Sequence, residues 1–156
     1  VKLRLLQALH EMLMAEELRL ETGAAQELMQ QSGIAVGTRV LGPADSDSDA
    51  TVAGSILQLQ LPSLLTFLSH SFPEMRIAAL QLIGTLLRQG MVCPLDVISH
   101  LIALQTDPDH TVRFESLRLL HIEDEKHPTF LDNRIIDGIE RGMWHQIKLL
   151  GAPCAV

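Results

Sequence analysis

The chain has 156 residues, of which 47% are hydrophobic, 20% are charged and only 3% are aromatic, and its net charge is −7 at neutral pH. This length allows one domain with a substantial core, and the Leu-rich, aromatic-poor composition favours helix packing over a β-sandwich. The twelve Lys and Arg residues are scattered singly. Autonomous nucleic-acid binding is therefore disfavoured, although one face of a folded array could still collect scattered arginines.

The cysteines and the N-terminal residues indicate the compartment. Cys93 and Cys154 fit no metal-binding spacing and no disulfide framework, so a reducing, intracellular environment is expected. No apolar run reaches the roughly 18 residues of a membrane span. The first residues, VKLRLLQALH, lack an initiator Met and enter an amphipathic helix directly, unlike a signal peptide. We expect a segment of a longer protein.

The helical spacing of apolar residues is lost and then resumes within the first half of the chain. Apolar residues at helical spacing predict an amphipathic helix of a preceding repeat over 1–22. Residues 23–54 lose this period and are rich in Gly, Ser and Asp, which predicts a mobile acidic loop. The helical pattern resumes near Ser55, and Pro62 either kinks this helix or marks the start of its regular part.

The second half of the chain predicts helical hairpins. The apolar pattern and the turn residues give hairpins over about 55–90 and 92–127, then a further helix over 133–150 and a tail at 151–156. No segment alternates with period two over a useful length. The predicted fold class is therefore all-α.

The turn inside the second hairpin is abrupt. A helical pattern stops at Thr106, and another begins within three residues. Asp107 is predicted to cap the second helix, with Pro108 at its first helical position. Asp109 meets the helix dipole favourably, and we expect it to pair with Arg113 one turn later.

The two hairpins repeat one another at a shift of 37 residues, which takes Arg76 to Arg113 and Leu80 to Leu117. A helix pair recurring at this spacing is typical of an α-solenoid, slightly short of the roughly 40–47 residues of HEAT or armadillo units. The D-x-x-V-R start of the second helix is HEAT-like, whereas the Trp, Gly and Tyr positions of tetratricopeptide repeats are missing. We therefore predict an α-solenoid of HEAT-type helical hairpins, with Leu117 buried between two repeats.

From Gly90 onward, the series GMVCP…LIALQTDP…EKHPTF…DG resembles the C-terminal HEAT region of the Nipped-B-like cohesin loaders. The matching residues are Gly90, Pro94, Leu101, Ile102, Ala103, Thr106, Asp107, Pro108, Lys126, Phe130 and Gly138. The resemblance is dense over 82–138 and looser before residue 50. It departs at 141–144, where RGMW stands in place of the family's Ser- and Tyr-rich helix, and the tail LLGAPCAV has no counterpart.

This resemblance implies a nuclear, chromatin-associated factor that loads cohesin onto DNA and stimulates the cohesin ATPase. The implied partners are cohesin complex subunits and a loader partner subunit, with DNA contacted through the full-length protein. Because the ATPase site belongs to cohesin, no catalytic residue is expected in this chain. No cofactor, metal, membrane or small-molecule substrate is expected either. The alternatives are a generic HEAT scaffold unrelated to cohesin, and an enzyme regulated through a helical domain, whose catalytic segment would lie outside these residues.

Four arginines fall into two groups. Arg88 and Arg118 are the candidates for contact with an acidic partner or DNA. Arg76 and Arg113 each follow a turn at the same repeat position, where HEAT units often use Arg to tie adjacent helices, so we interpret both as structural.

The last helix carries a GxxxG step and the single Trp of the chain. Gly138 and Gly142 form this step, and nearby charged residues favour close packing on a neighbouring helix over dimerisation in a membrane. Trp144 is a candidate partner anchor, the alternative being packing beneath a neighbouring repeat.

Two patterns suggest metal sites and are interpreted otherwise. The run 45–49 has the carboxylate spacing of an EF-hand loop, but Ala50 and Ile56 stand where that loop needs Gly and Glu. A solvated loop is expected, with phosphorylation of Ser46 or Ser48 as an additional source of negative charge. The seven histidines form no His-x-x-x-His pair and are expected at the surface or at hairpin edges.

Overall fold

A computed structural model describes residues 1–21 and 43–151 of the chain. Short 3₁₀ helices at Thr66–Ser69 and Leu104–Thr106 follow the second and fourth α-helices. All regular secondary structure in the described part is helical, which confirms the predicted all-α class. The six α-helices found there are α1 (Lys2–Glu21), α2 (Pro43–Leu65), α3 (Pro73–Arg88), α4 (Pro94–Ala103), α5 (His110–Lys126) and α6 (Pro128–Leu150).

Contacts between the helices place α3 at the centre of the core. It packs between α1 and α5, while α4 and α6 share the most extensive helix–helix contact. Leu82, Ile83 and Leu86 of α3 are completely buried, as are Val97 and Leu101 of α4. Each buried aliphatic side chain of this kind contributes roughly 1.5–3 kcal/mol, so this aliphatic core is the main stabilising element.

The two hairpins share the same turn geometry. Arg76 donates from Nη1 to the carbonyl oxygens of residues 70–71, at 2.8 and 3.1 Å. Arg113 donates from Nη1 to the carbonyl oxygens of residues 107–108, at 2.6 and 3.0 Å. These positions are related by the 37-residue shift, so the two turns have equivalent arginine–carbonyl hydrogen bonds. The structural interpretation of both arginines is confirmed.

Proline begins four of the described helices, including α2 at Pro43. Pro73, Pro94 and Pro128 each occupy the start of a helix, where the missing N–H would have no intrahelical partner. The prediction that the last helix begins at about Asn133 was wrong for this reason. Pro128 ends the preceding helix and also starts the next one.

The second helix is longer than predicted. It begins at Pro43 and not near Ser55, so the C-terminal part of the loop predicted over 23–54 is helical. The Gly, Ser and Asp residues of this segment did not indicate a helix. A Pro at the first helical position is nevertheless favourable. The helix continues through Pro62 close to its C-terminal end. Residues 22–42 and 152–156 lie outside the described residues, as do the corresponding parts of the predicted loop and tail.

The cap of α5 also differs from the prediction. Asp109, not Asp107, is its N-cap, and its Oδ1 accepts hydrogen bonds from the backbone N–H groups of Thr111 at 2.8 Å and Val112 at 3.2 Å. The helix therefore begins at His110, and Pro108 belongs to the turn. The guanidinium of Arg113 donates to the carbonyl oxygens of Asp107 and Pro108, and its predicted side-chain pair with Asp109 is not formed.

The predicted burial of Leu117 was wrong, because this side chain is 56% exposed. Its repeat equivalent, Leu80, is 1% exposed because α3 has helices on both sides. In the described residues α5 faces α3 with a different side chain, Leu119, which is buried and lies against Gly84. The repeat thus conserves the turn but not the surroundings of each helix face.

Candidate partner-binding site

A buried charge cluster of Arg76, Asp107 and His145, called the Asp107 cluster below, joins the two hairpins to α6. Arg76 of α3 donates from Nη2 to Oδ1 of Asp107 at 2.8 Å, and its Nε lies 2.8 Å from Oδ2. His145 of α6 donates from Nε2 to the same Oδ2 at 2.8 Å. All three residues are at most 4% exposed. Asp107 therefore fixes the position of α6 relative to the turn between α4 and α5.

Asp107 is ionised at neutral pH. Burial alone would raise the pKa of its carboxyl group, but the hydrogen bonds from His145 and Arg76 outweigh burial and hold the pKa below its ordinary value. The backbone N–H of Asp109 adds a third hydrogen bond to this carboxylate at 2.9 Å. The negative charge balances the buried guanidinium, which is the condition for a buried ion pair to be tolerated.

The GxxxG step brings α6 into close contact with α4. A methyl group added at Gly138 would lie 2.5 Å from Cβ of Ile102, and one at Gly142 would lie 3.6 Å from Cα of Ala103. Only glycine therefore fits at position 138 in this packing. The prediction of close packing on a neighbouring helix is confirmed.

Five other positions of the family-like series lie at helix ends. Gly90 follows α3 with a φ of 68°, a left-handed conformation that glycine adopts readily, and Pro94 starts α4. Thr106 donates from Oγ1 to a carbonyl oxygen of α4 at 2.9 Å. Lys126 contacts a carboxylate one turn earlier in α5, and the ring of Phe130 stacks on the preceding imidazole at 4.6 Å between centroids. Each has a local structural environment that explains its residue type.

The two arginines predicted to contact partners line one groove. Arg88 and Arg118 both face a cavity of about 320 Å³ between α1, α3 and α5. Arg88 pairs with Glu17 of α1 at 2.8 Å, and Arg118 pairs with Glu115 at 3.0 Å. These charges are therefore already balanced within the chain. The sequence did not indicate the first pair, since its members are 71 positions apart.

Trp144 lines a different groove, which lies between α2, α4 and α6 and is called the α2–α4–α6 groove below. The main part of this groove has a volume of about 550 Å³. Trp144 lines an adjoining part of about 290 Å³, which shares several lining residues with the main part. Trp144 is 64% exposed and stands on the same face of α6 as Arg141 and Lys148. The structure thus separates Trp144 from the two predicted arginines.

The α2–α4–α6 groove is electropositive. Arg141 and Lys148 are both exposed, and neither forms an ion pair with any residue in the described ranges. Burial and the nearby Arg141 lower the pKa of His100, on the groove wall, to about 4, so its imidazole is neutral at physiological pH. Asp96 at the α2 side accepts a hydrogen bond from Gln58 at 2.9 Å. This pair of cations was not predicted from the sequence, although the two residues are seven positions apart and flank Trp144.

Metal and membrane sites receive no support from the described structure. Within residues 1–21 and 43–151, no group of three His, Cys, Asp or Glu side chains has metal-binding geometry. The described helices include none long and apolar enough to cross a membrane. The backbone of the acidic run 45–49 is helical, and its side chains lie outside the described set.

The closely packed part of the chain matches a known family. Residues 53–153, more than half of the chain, match the family model Nipped-B_C, described as sister chromatid cohesion C-terminus. The chain belongs to the Nipped-B sister chromatid cohesion family. The match includes the Asp107 cluster, the glycine contact at Gly138 and the whole α2–α4–α6 groove.

Individual Nipped-B relatives agree with the family match. Nipped-B-like protein B of Danio rerio is 28% identical over 110 residues, covering 70% of this chain. The Nipped-B-like proteins of Mus musculus and Homo sapiens are each 29% identical over 102 residues, covering 65% of it. The aligned part is only 4% of the length of each of these relatives. The resemblance inferred from the Gly90–Gly138 series is confirmed.

Proposed function

We propose that this chain is a segment of a cohesin-loading factor that works in the nucleus on chromatin. In this proposal it binds cohesin subunits and a loader partner subunit and supports stimulation of the cohesin ATPase. DNA is contacted through the full-length protein. The observation that carries the proposal is the family match over residues 53–153.

The proposed role is that of a HEAT-type scaffold without catalytic chemistry of its own. Two hairpins with the same Arg–carbonyl turn, at a shift of 37 residues, support a repeat architecture. In an α-solenoid each repeat packs on its neighbours and the array offers extended surfaces for partners. Binding through such surfaces requires positioned side chains and no reacting group.

The exposed face of α6 is compatible with this architecture. Ile136, Ile139 and Met143 are 78%, 58% and 54% exposed and follow one another at helical spacing on α6. An apolar helix face of this kind is typical of packing against a further helical layer. We propose that a neighbouring repeat covers it in the assembled solenoid.

Direct binding to purified cohesin tests the function. The chain is immobilised, cohesin is passed over it, and retention is measured together with the rate of ATP hydrolysis by cohesin. Val112 is completely buried, so a Val112→Asp variant disrupts the core and serves as a control that must lose binding. Retention by the folded chain above this control supports the proposal. Equal retention by both chains contradicts it.

A further inference from the structure

The two cations of the α2–α4–α6 groove lie beside an exposed aromatic side chain. Arg141 and Lys148 flank Trp144 and make no ion pair within the described structure. Elsewhere, carboxylates accompany most basic side chains. Such pairs are formed by Arg19, Arg76, Arg88, Arg118, Lys126 and Arg134. In a chain with a net charge of −7, two neighbouring unpaired cations form a distinct local field.

The walls of this groove can hold an extended segment with both charged and apolar side chains. Pro62 of α2 contributes exposed apolar surface, and the side chain of Ser69 lines both parts of the groove. Trp144 provides an exposed aromatic surface beside Arg141. A volume of about 550 Å³ is in the range of ligand-binding clefts and accommodates a few side chains.

The charge of the groove and of the whole chain favours an acidic protein segment over a nucleic acid. A stable duplex interface usually neutralises on the order of 6–10 phosphates, and this groove offers two unpaired cations. Asp96 at its α2 side would repel a continuous phosphate backbone. Separate carboxylates can reach Arg141 and Lys148 while apolar side chains between them contact Trp144.

We propose that the α2–α4–α6 groove binds an extended acidic peptide segment of a partner protein. Its carboxylates pair with Arg141 and Lys148, and an apolar side chain packs on Trp144. This inference goes beyond the proposed function, because it assigns a surface and a ligand class whether or not the partner belongs to cohesin. A failure to bind cohesin therefore leaves the peptide test informative.

The test uses a labelled synthetic peptide of alternating Glu and Leu residues, with fluorescence anisotropy as the readout. We expect binding that weakens with added salt, because exposed charge pairs are screened. The double variant Arg141→Glu, Lys148→Glu should lower the affinity by about tenfold or more. Arg4→Glu makes the same kind of charge change at an exposed position of α1 outside the groove and should leave the affinity unchanged. Far-UV circular dichroism checks that each variant folds.

Two further readouts report on the groove itself. Trp144 is the single Trp of the chain, so its fluorescence should change on addition of the peptide. Bound carboxylates should raise the pKa of His100, measured by NMR, above its value of about 4. The proposal is overturned if the unmodified chain does not bind the Glu–Leu peptide, or if a Lys–Leu peptide binds equally well. It is also overturned if Arg4→Glu causes the same loss, or if single-stranded oligothymidylate binds more tightly than the peptide.

Discussion

The packing of α6 on α4 predicts opposite effects for alanine at two neighbouring glycines. A methyl group at position 138 would lie 2.5, 2.6 and 2.8 Å from Cβ, Cγ2 and Cδ1 of Ile102. Favourable carbon–carbon contacts are about 3.5–4.0 Å, so α6 would have to move away from α4 by roughly 1 Å. The Cβ atom of Ile102 is fixed to the helix backbone and cannot rotate aside.

The expected magnitudes follow from overpacking and helix propensity. Overpacking costs about 1–3 kcal/mol, and replacing Gly by Ala within a helix recovers about 1 kcal/mol. Gly138→Ala should therefore destabilise the fold by up to about 2 kcal/mol. At position 142 the nearest atoms are 3.6 Å away, an ordinary contact distance, so Gly142→Ala should be neutral or stabilising by up to about 1 kcal/mol.

Urea unfolding followed by circular dichroism at the helix band measures both variants against the unmodified chain. Position 142 is the matched control, since the substitution, the helix and the neighbouring helix are the same. Ile102→Ala combined with Gly138→Ala should cost less than the sum of the single changes, because two of the three clashing atoms are removed. Equal free energies of unfolding for the two glycine variants would refute the packing argument.

Three further predictions concern the Asp107 cluster and the repeat. Asp107→Ala leaves Arg76 buried without its carboxylate and should lower the free energy of unfolding in urea by about 3–5 kcal/mol. A decrease below about 1 kcal/mol would show that the ion pair is dispensable. The folded-state pKa of Asp107 is below its ordinary value of 3.8, so its contribution to stability is present above that pH and is lost as the pH falls through the lower folded-state pKa. Asp107→Asn should flatten this acid dependence of the melting temperature, and an unchanged slope would assign the dependence to other groups. Leu119→Ala should lower the free energy of unfolding by about 2–5 kcal/mol, because this side chain is buried, while Leu117→Ala should change it by no more than about 0.5 kcal/mol. Equal shifts in melting temperature for the two variants would contradict their different burial.

The Asp107 cluster and the α2–α4–α6 groove are physically linked through α6. His145 holds α6 against the turn after α4, and Arg141, Trp144 and Lys148 project from the same helix into the groove. Loss of the Asp107 contact would therefore displace the groove wall as well as weaken the fold. The groove variants leave this contact intact, which separates binding effects from stability effects.

Local features of the fold were predictable from the sequence. Gly90 at a helix end and Pro94 at a helix start follow from backbone conformation alone. The structural role of Arg76 and Arg113 was predictable because both bind carbonyl oxygens only five or six positions earlier. Such short-range interactions recur wherever the repeat recurs.

Long-range contacts were not predictable in the same way. The sequence predicted Asp107 as a helix cap, but its carboxylate accepts hydrogen bonds from Arg76 and His145, which are 31 and 38 positions away. The sequence suggested that Arg88 is available to a partner, but the carboxylate of Glu17 on α1 pairs with it. The repeat register misplaced Leu117 because equivalent helices have different numbers of neighbours. A single sequence contains no direct signal for these distances.

The proposed function requires that the chain binds cohesin, and affinity purification of the endogenous tagged chain from nuclear extract tests this requirement most directly. Mass spectrometry of the purified material identifies the bound proteins, with an untagged extract as the control. The proposed function predicts strong enrichment of cohesin subunits over that control. Enrichment of transport or phosphatase components without cohesin would contradict it, while leaving the helical fold unaffected.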